Sequence, residues 1–301
     1  SAISSTSSAA LYAKRAFAGS MKRSELTAAL QNVLNAWPHK WPGIPVAFES
    51  CVKYLGDVPK GRMRTKRMAA LIKSSSALAA RAENLGFQMR EAGREPAYHS
   101  RLHTALALVS LTALIVSQRK LSGSDQRSIS ETEYLLMVTM LSHDIGHPGG
   151  RNSFPEEIEK TTIDIIRPVL ETFDVSSSDR ERIEAIILRT DPRHVPSTHD
   201  IARTKAFDIE DNVWQCALIQ EADVMASALP EFGSFLTGLL AEEWEKFDRE
   251  LARQLTSLEG RVGFLERGAL FSSPASYALG VPDAIEQQLK LCRTSLVNRL
   301  A

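Results

Sequence analysis

The sequence predicts an all-α fold, and three observations carry that prediction. Apolar residues recur at helical spacing along nearly the whole chain, strand-like alternation is scarce, and several segments open with residues that cap helix N-termini. With 301 residues the chain is long enough for a sizeable core. The elements follow in order. The first 23 residues are rich in Ser and Ala, basic, and free of acidic residues before Glu25. That composition fits a targeting or secretion leader, or the edge of an excised fragment. Ser24 is placed to cap the next helix, which the "WPHKWPGIP" segment breaks. The stretch from Arg67 reads as one long helix or two short ones, ended by Gly93. Thr104 to Ser117 is the longest apolar run; it is too short for a membrane span and reads as a buried helix. Ser130 with Glu133, and Ser178 with Glu181, read as capping boxes. Helical periodicity resumes at Val213 and at Phe232, and a last helix begins near Pro282. Leu188 to Asp200, with two prolines, reads as a functional loop.

Composition narrows the function. Lys plus Arg is 36 and Asp plus Glu is 36, so no global basic field drives binding to nucleic acid. Cys51, Cys216 and Cys292 are far apart and odd in number. They suit a reducing, cytoplasmic setting and not a disulfide framework.

Metal-type ligands gather in four places: His99 and His103 in "YHSRLH", His143, Asp144 and His147 in "HDIGH", Asp223 in "EADVMAS", and Asp191 and His194 in "TDPRH". The i, i+4 spacing predicts His99 and His103 on one helix face, and His143 and His147 on another. Alone, each residue has an ordinary structural explanation: a satisfied core histidine, an aspartate paired with an arginine, a turn. Together, two imidazoles and two carboxylates on apolar segments are expensive to bury without a cation. The set suits zinc, iron or manganese.

These residues carry a resemblance. His143-Asp144, with His103 before and Asp223 after, resembles the HD superfamily of metal-dependent phosphohydrolases. "YHSRLH" and "HDIGHPGGRNSF" resemble more closely the YHNxxH and HDxxHPGxxNxF motifs of class I cyclic nucleotide phosphodiesterases. The first departs at Ser100, where the family has Asn; the second matches at every defined position. "LRTDPRH" is similar to the family's LxxTDMxxH segment, and "RVGF" to its QVGF stretch. The resemblance covers roughly Tyr98 to Gly268.

N-terminal helices over 24–93 are expected to pack on a catalytic domain over 94–301, and the resemblance implies a dinuclear site between helices. His103, His143, Asp144 and Asp223 would hold a first ion, zinc by the resemblance, and Asp144 would bridge to magnesium or manganese. His147 would order metal-bound water, and His99 would protonate the leaving oxygen. Asn152 and Phe154 would anchor the turn. Asp191, Arg261 and Phe264 would face the substrate, Phe264 stacking on a base. Arg261 stands where the family has a base-reading glutamine, and it offers donors only. The implied activity is hydrolysis of a 3′,5′-cyclic nucleotide, cAMP or cGMP. The partner is then a small molecule, with no nucleic acid and no membrane span. Two other readings stand beside it: a phosphohydrolase acting on a nucleotide monoester or other small phosphorylated molecule, and a non-catalytic sensor or effector.

Overall fold

A computed structural model describes residues 22–300, so the leader expected over 1–23 lies almost wholly outside the described residues. Among the described residues there are fourteen helices and no strand, which gives the all-α fold the periodicity predicts. In chain order they are α1 (Arg23–Ala36), α2 (Ile44–Leu55), α3 (Lys66–Glu91), α4 (Arg101–Leu121), α5 (Glu131–Ser142), α6 (Glu157–Thr172) and α7 (Ser177–Leu188). There follow α8 (Val195–Ala202), α9 (Asn212–Ala228), α10 (Gly233–Glu245), α11 (Arg249–Leu255), α12 (Leu258–Gly263), α13 (Pro274–Ala278) and α14 (Val281–Leu300).

The central element is α4. Leu, Ala, Val and Ile occupy all its faces, and α1, α2, α5, α9 and α13 pack around it. Its interior hydroxyls are satisfied one turn back: Ser110 donates to the Leu106 carbonyl and Thr112 to that of Leu108, both at 2.8 Å. By length and apolarity α4 would suit a membrane span, yet 89% of that window is buried within the protein. It is a core helix. One hydrophobic core runs from Leu26 on α1 to Ile285 on α14, so the first three helices share it with the segments that carry the motifs.

Local expectations and observed ends differ in places. Ser130 and Glu133 do form a capping box on α5. On α7 the cap is Ser176, not Ser178, because the Ser176 hydroxyl accepts from the Asp179 amide. On α1 the cap position is Lys22, and Glu25 accepts the Lys22 amide, so Ser24 lies inside the helix. The expected loop at Leu188 to Asp200 is mostly helical: a 3-10 turn over Pro192–His194 runs straight into α8. Both prolines sit at first-turn positions, where their missing N–H groups leave no donor unpaired.

Two breaks position the site. The α5 helix stops at Ser142, and Gly146 takes φ 78°, which turns the chain sharply through the motif. Between α9 and α10 the chain bends by 101°, across a break that contains Pro230, and this return brings Glu243 back to Tyr98 and His99.

Candidate metal centre

The site is built at helix ends and not along helix faces. His103 is in the first turn of α4, and Asp223 is on α9, which packs directly against α4. His143 is the residue that ends α5, and Asp144 and His147 lie in the turn beyond it. His99 precedes α4 altogether. Neither histidine pair therefore shares the helix face that the four-residue spacing predicts. The Gly146 turn and the start of α4 at Arg101 override that spacing.

Four atoms converge. His103 Nε2 lies 2.9 Å from Asp223 Oδ1, 3.2 Å from Asp144 Oδ2 and 3.3 Å from His143 Nε2. His143 Nε2 is 3.2 Å from Asp144 Oδ2 and 3.3 Å from Asp223 Oδ1. An ion bonded at about 2.0–2.2 Å would space its neighbouring ligands by roughly 2.8–3.6 Å, over octahedral and tetrahedral geometries. All five separations fall in that window. His143 Nδ1 donates to the Met140 carbonyl at 2.7 Å, which fixes the ring and aims Nε2 at the cluster. These residues can hold a metal ion.

The electrostatics fit the same role. Burial alone would lower the pKa of His103, but hydrogen bonds to Asp144 and Asp223 outweigh it and hold the value at about 9. His143 is likewise raised well above the usual range against its burial, chiefly by the charge of Asp144. Burial would raise Asp144 and Asp223, yet the two imidazoles hold both below the ordinary carboxylate range. Without a metal, protons on the imidazoles neutralise the carboxylates. One divalent ion supplies the same charge as those two protons.

A second group adjoins the first: His99, His147 and Glu243. His99 and His147 stack face to face, with centroids 3.8 Å apart and planes 10° from parallel. In that arrangement the ring lone pairs run in parallel planes and do not meet at one point, so it is a poor ligand set. It is a hydrogen-bonding assembly instead. The Glu243 carboxylate accepts from His99 Nδ1 at 2.7 Å, from the Tyr98 and His99 amides at 3.0 Å each, and from the Gly150 amide at 3.1 Å. Burial pushes Glu243 up, but the His99 hydrogen bond and charge outweigh it and hold it at about 2. Burial, then His99, drive His147 down to about 3, so His147 is neutral at pH 7. Its Nδ1 accepts from the Gly149 amide at 3.0 Å, which leaves the proton on Nε2.

The residues expected to face substrate make contacts within the protein. Arg261 donates through Nη1 to the Ser227 carbonyl at 2.7 Å and through Nη2 to Gln288 Oε1 at 2.7 Å. Its terminal nitrogens thus meet acceptors at the C-terminus of α9 and on Gln288. Phe264 is half-buried in a π-turn over Phe264–Gly268, with the Arg261 guanidinium 5.6 Å from its ring centre. Asp191 is fully engaged too: it accepts from Asn152 Nδ2, the Glu156 amide and the Arg193 amide, so it serves as a turn clamp. His194 donates to Glu156 across 2.7 Å and joins no metal cluster. Asn152 does anchor the turn, through Glu159, Asp191 and the Ile158 amide. Phe154 does not, being 54% exposed.

Sequence reasoning missed Glu243. It lies 144 positions from His99 and in no recognisable motif, so only the bend between α9 and α10 brings it to the site. It also missed Glu159, a buried carboxylate whose pKa burial raises and which lies near Asp144 and Asp191. A scan against protein-family models and a search of curated proteins found no match to this chain.

Proposed function

We propose that the chain is a metal-dependent hydrolase of phosphate esters, and that a 3′,5′-cyclic nucleotide phosphodiester is the substrate its residues fit best. The observation that carries this is the juxtaposition of the four-ligand cluster with the His99–Glu243 pair. His103, His143, Asp144 and Asp223 would hold the ion, with zinc fitting two imidazoles and two carboxylates. A divalent ion there supplies an activated water and neutralises phosphoryl charge. A second ion, magnesium or manganese, is part of the proposal, and Asp144 would be among the residues that hold it.

The chain's own residues then divide the proton work. Glu243 accepts only, so His99 must donate through Nδ1, and Nε2 is left to hand a proton to a leaving oxygen. Glu243 fixes the ring by accepting from Nδ1, which leaves Nε2 on the opposite edge. His147 presents Nε2–H as a donor from the parallel ring above. An acid for an alkoxide leaving group favours a diester with a poor leaving group. By this reading the chain resembles class I cyclic nucleotide phosphodiesterases in chemistry as well as in motif.

A second reading has one observation behind it. With Arg261 engaged by Ser227 and Gln288, no side chain at that position is free to read a base. That favours a substrate recognised through its phosphate, such as a monoester.

Metal analysis with a substrate panel separates the two. Purified protein is assayed for bound zinc, then offered cAMP, cGMP, 5′-nucleotides and p-nitrophenyl mono- and diesters, with and without chelator. Chelator-sensitive cleavage of the cyclic nucleotides is the expected result. Cleavage of monoesters alone would replace the first reading by the second. No bound metal and no cleavage of any ester would overturn both.

A further inference from the structure

We propose that Arg101 is the positioning residue for His99, acting through Glu95 and Glu83. This rests on the proton-donor role assigned above to His99. Arg101 is 7% exposed and sits in the first turn of α4. Its Nε donates to Glu95 Oε1 at 2.9 Å and its Nη2 to Glu95 Oε2 at 3.1 Å, a bidentate grip. Its Nη1 reaches Glu83 on α3. Glu83 in turn accepts from Trp41 Nε1 and the Ile44 amide, and the Arg101 guanidinium lies 5.4 Å from the centre of the Trp37 ring.

The geometry gives this cluster leverage over His99. The segment between α3 and α4 runs from Ala92 to Ser100 and holds His99 near its end. Its first part is tied to α3, where the Arg94 and Glu95 amides donate to the Met89 carbonyl. Its last part has no ordinary helix cap: Ser100 is at the cap position, but its buried hydroxyl has no partner. Glu95 replaces that cap, since it also accepts from the Arg101 amide at 3.3 Å. The Arg101 guanidinium therefore grips the carboxylate that caps α4, with Arg90 Nη1 farther off at 3.9 Å, and through it steadies the turn that aims His99 at Glu243. Take the Arg101 guanidinium away and Glu95 loses its bidentate partner and keeps only the longer Arg90 contact, while Glu83 keeps its Trp41 and Ile44 donors but loses this cation.

The helix opposite is shaped to admit this side chain. Gly86 lies inside α3, an unfavourable place for glycine. A Cβ there would come within 2.5 Å of Arg101 Cγ and Cδ. The glycine leaves the channel through which Arg101 crosses to Glu83. In the sequence, neither Gly86 nor Arg101 belongs to the metal set. His103, two residues beyond Arg101, is held separately by α9 and the turn after α5.

The test reads His99 directly. An imidazole N–H hydrogen-bonded to a carboxylate gives a proton resonance well downfield of the amides. In zinc-loaded wild-type protein that signal is assigned by its loss in His99→Ala. Arg101→Met, Arg101→Lys and Gly86→Ala are then compared by this signal, by zinc content and by turnover. The expected result is a shifted or lost signal with zinc content kept. The turnover number on an alkyl ester should fall at least tenfold, KM should stay within about twofold, and a p-nitrophenyl ester should be affected less. Arg101→Lys, which keeps charge but cannot grip both oxygens of Glu95, should recover part of the signal. If Arg101→Met does not fold, Arg101→Lys and Gly86→Ala decide. An unchanged His99 signal in the folded variants would overturn the proposal. A wild-type protein with the signal but no esterase activity would overturn the proposed function and leave this inference to the signal alone.

Discussion

Two histidine pairs lie side by side in this protein and are arranged in opposite ways. His103 and His143 bring their Nε2 atoms to 3.3 Å, with ring planes 59° apart, so two in-plane lone pairs and two carboxylate oxygens meet at one point. His99 and His147 stack flat, and the carboxylate to which His99 donates, Glu243, is also bound by three backbone amides. The first arrangement leaves four ligand atoms with only each other for partners. The second leaves none in that state. Residue type alone does not separate a ligand set from a proton-handling set. The direction of the lone pairs, and whether the carboxylate is already engaged, do.

The contrast is broken most severely at Asp144, which touches both imidazoles of the first pair. Asp144→Asn should strip the bound metal and lower turnover by about three orders of magnitude or more, since the nucleophile depends on the ion. Zinc content by mass spectrometry and initial rates check this. Glu243→Gln should keep the metal and lower turnover by about 10²–10⁴-fold on a poor leaving group, the range general-acid catalysis supplies. An equal loss on a p-nitrophenyl ester would assign Glu243 to the metal side of the contrast.

The pH dependence sharpens the comparison. In metal-free protein His103 holds its proton up to about pH 9, and His143 is raised as well. The carboxylates, held below their usual range, stay ionised at neutral pH. Metal must displace imidazole protons, so affinity should rise with pH by up to about 100-fold per unit between pH 6 and 8. Calorimetry in two buffers should show proton release. Stability of the metal-free fold runs the other way. The raised His103 contributes fully below its unfolded value near 6.5, and that contribution fades as pH rises through about 9.

Arg261 gives the smallest effect. Its donors serve the end of α9, so Arg261→Met should lower stability by about 1–3 kcal/mol by leaving buried acceptors unpaired. The ratio of kcat/KM between cAMP and cGMP should stay within about twofold. A shift of tenfold would return Arg261 to the substrate pocket.

Much of this was legible in the sequence, for a physical reason. The all-α class and the central helix follow from periodicity, which burial enforces over many residues at once. The cluster of two imidazoles and two carboxylates that could hold a metal ion follows from chemistry, because such groups are costly to bury on apolar segments unless charge compensates them. What the sequence hid depends on where helices stop. The start of α4 at Arg101 and the Gly146 turn took His99 and His147 off the expected helix faces. The bend at Leu229–Phe232 brought in Glu243, and the Arg261 donors found Ser227 and Gln288 because α14 returns to the end of α9. Such long-range returns leave no trace in local spacing.

The division of labour between the two histidine pairs is tested most directly by X-ray absorption on zinc-loaded protein. The spectrum of the wild type should show two imidazole nitrogens and oxygen ligands at about 2.0–2.2 Å, and His99→Ala should leave it unchanged. A third or fourth imidazole on the zinc, or a spectrum altered by His99→Ala, would contradict the account, because the stacked pair would then be part of the metal site.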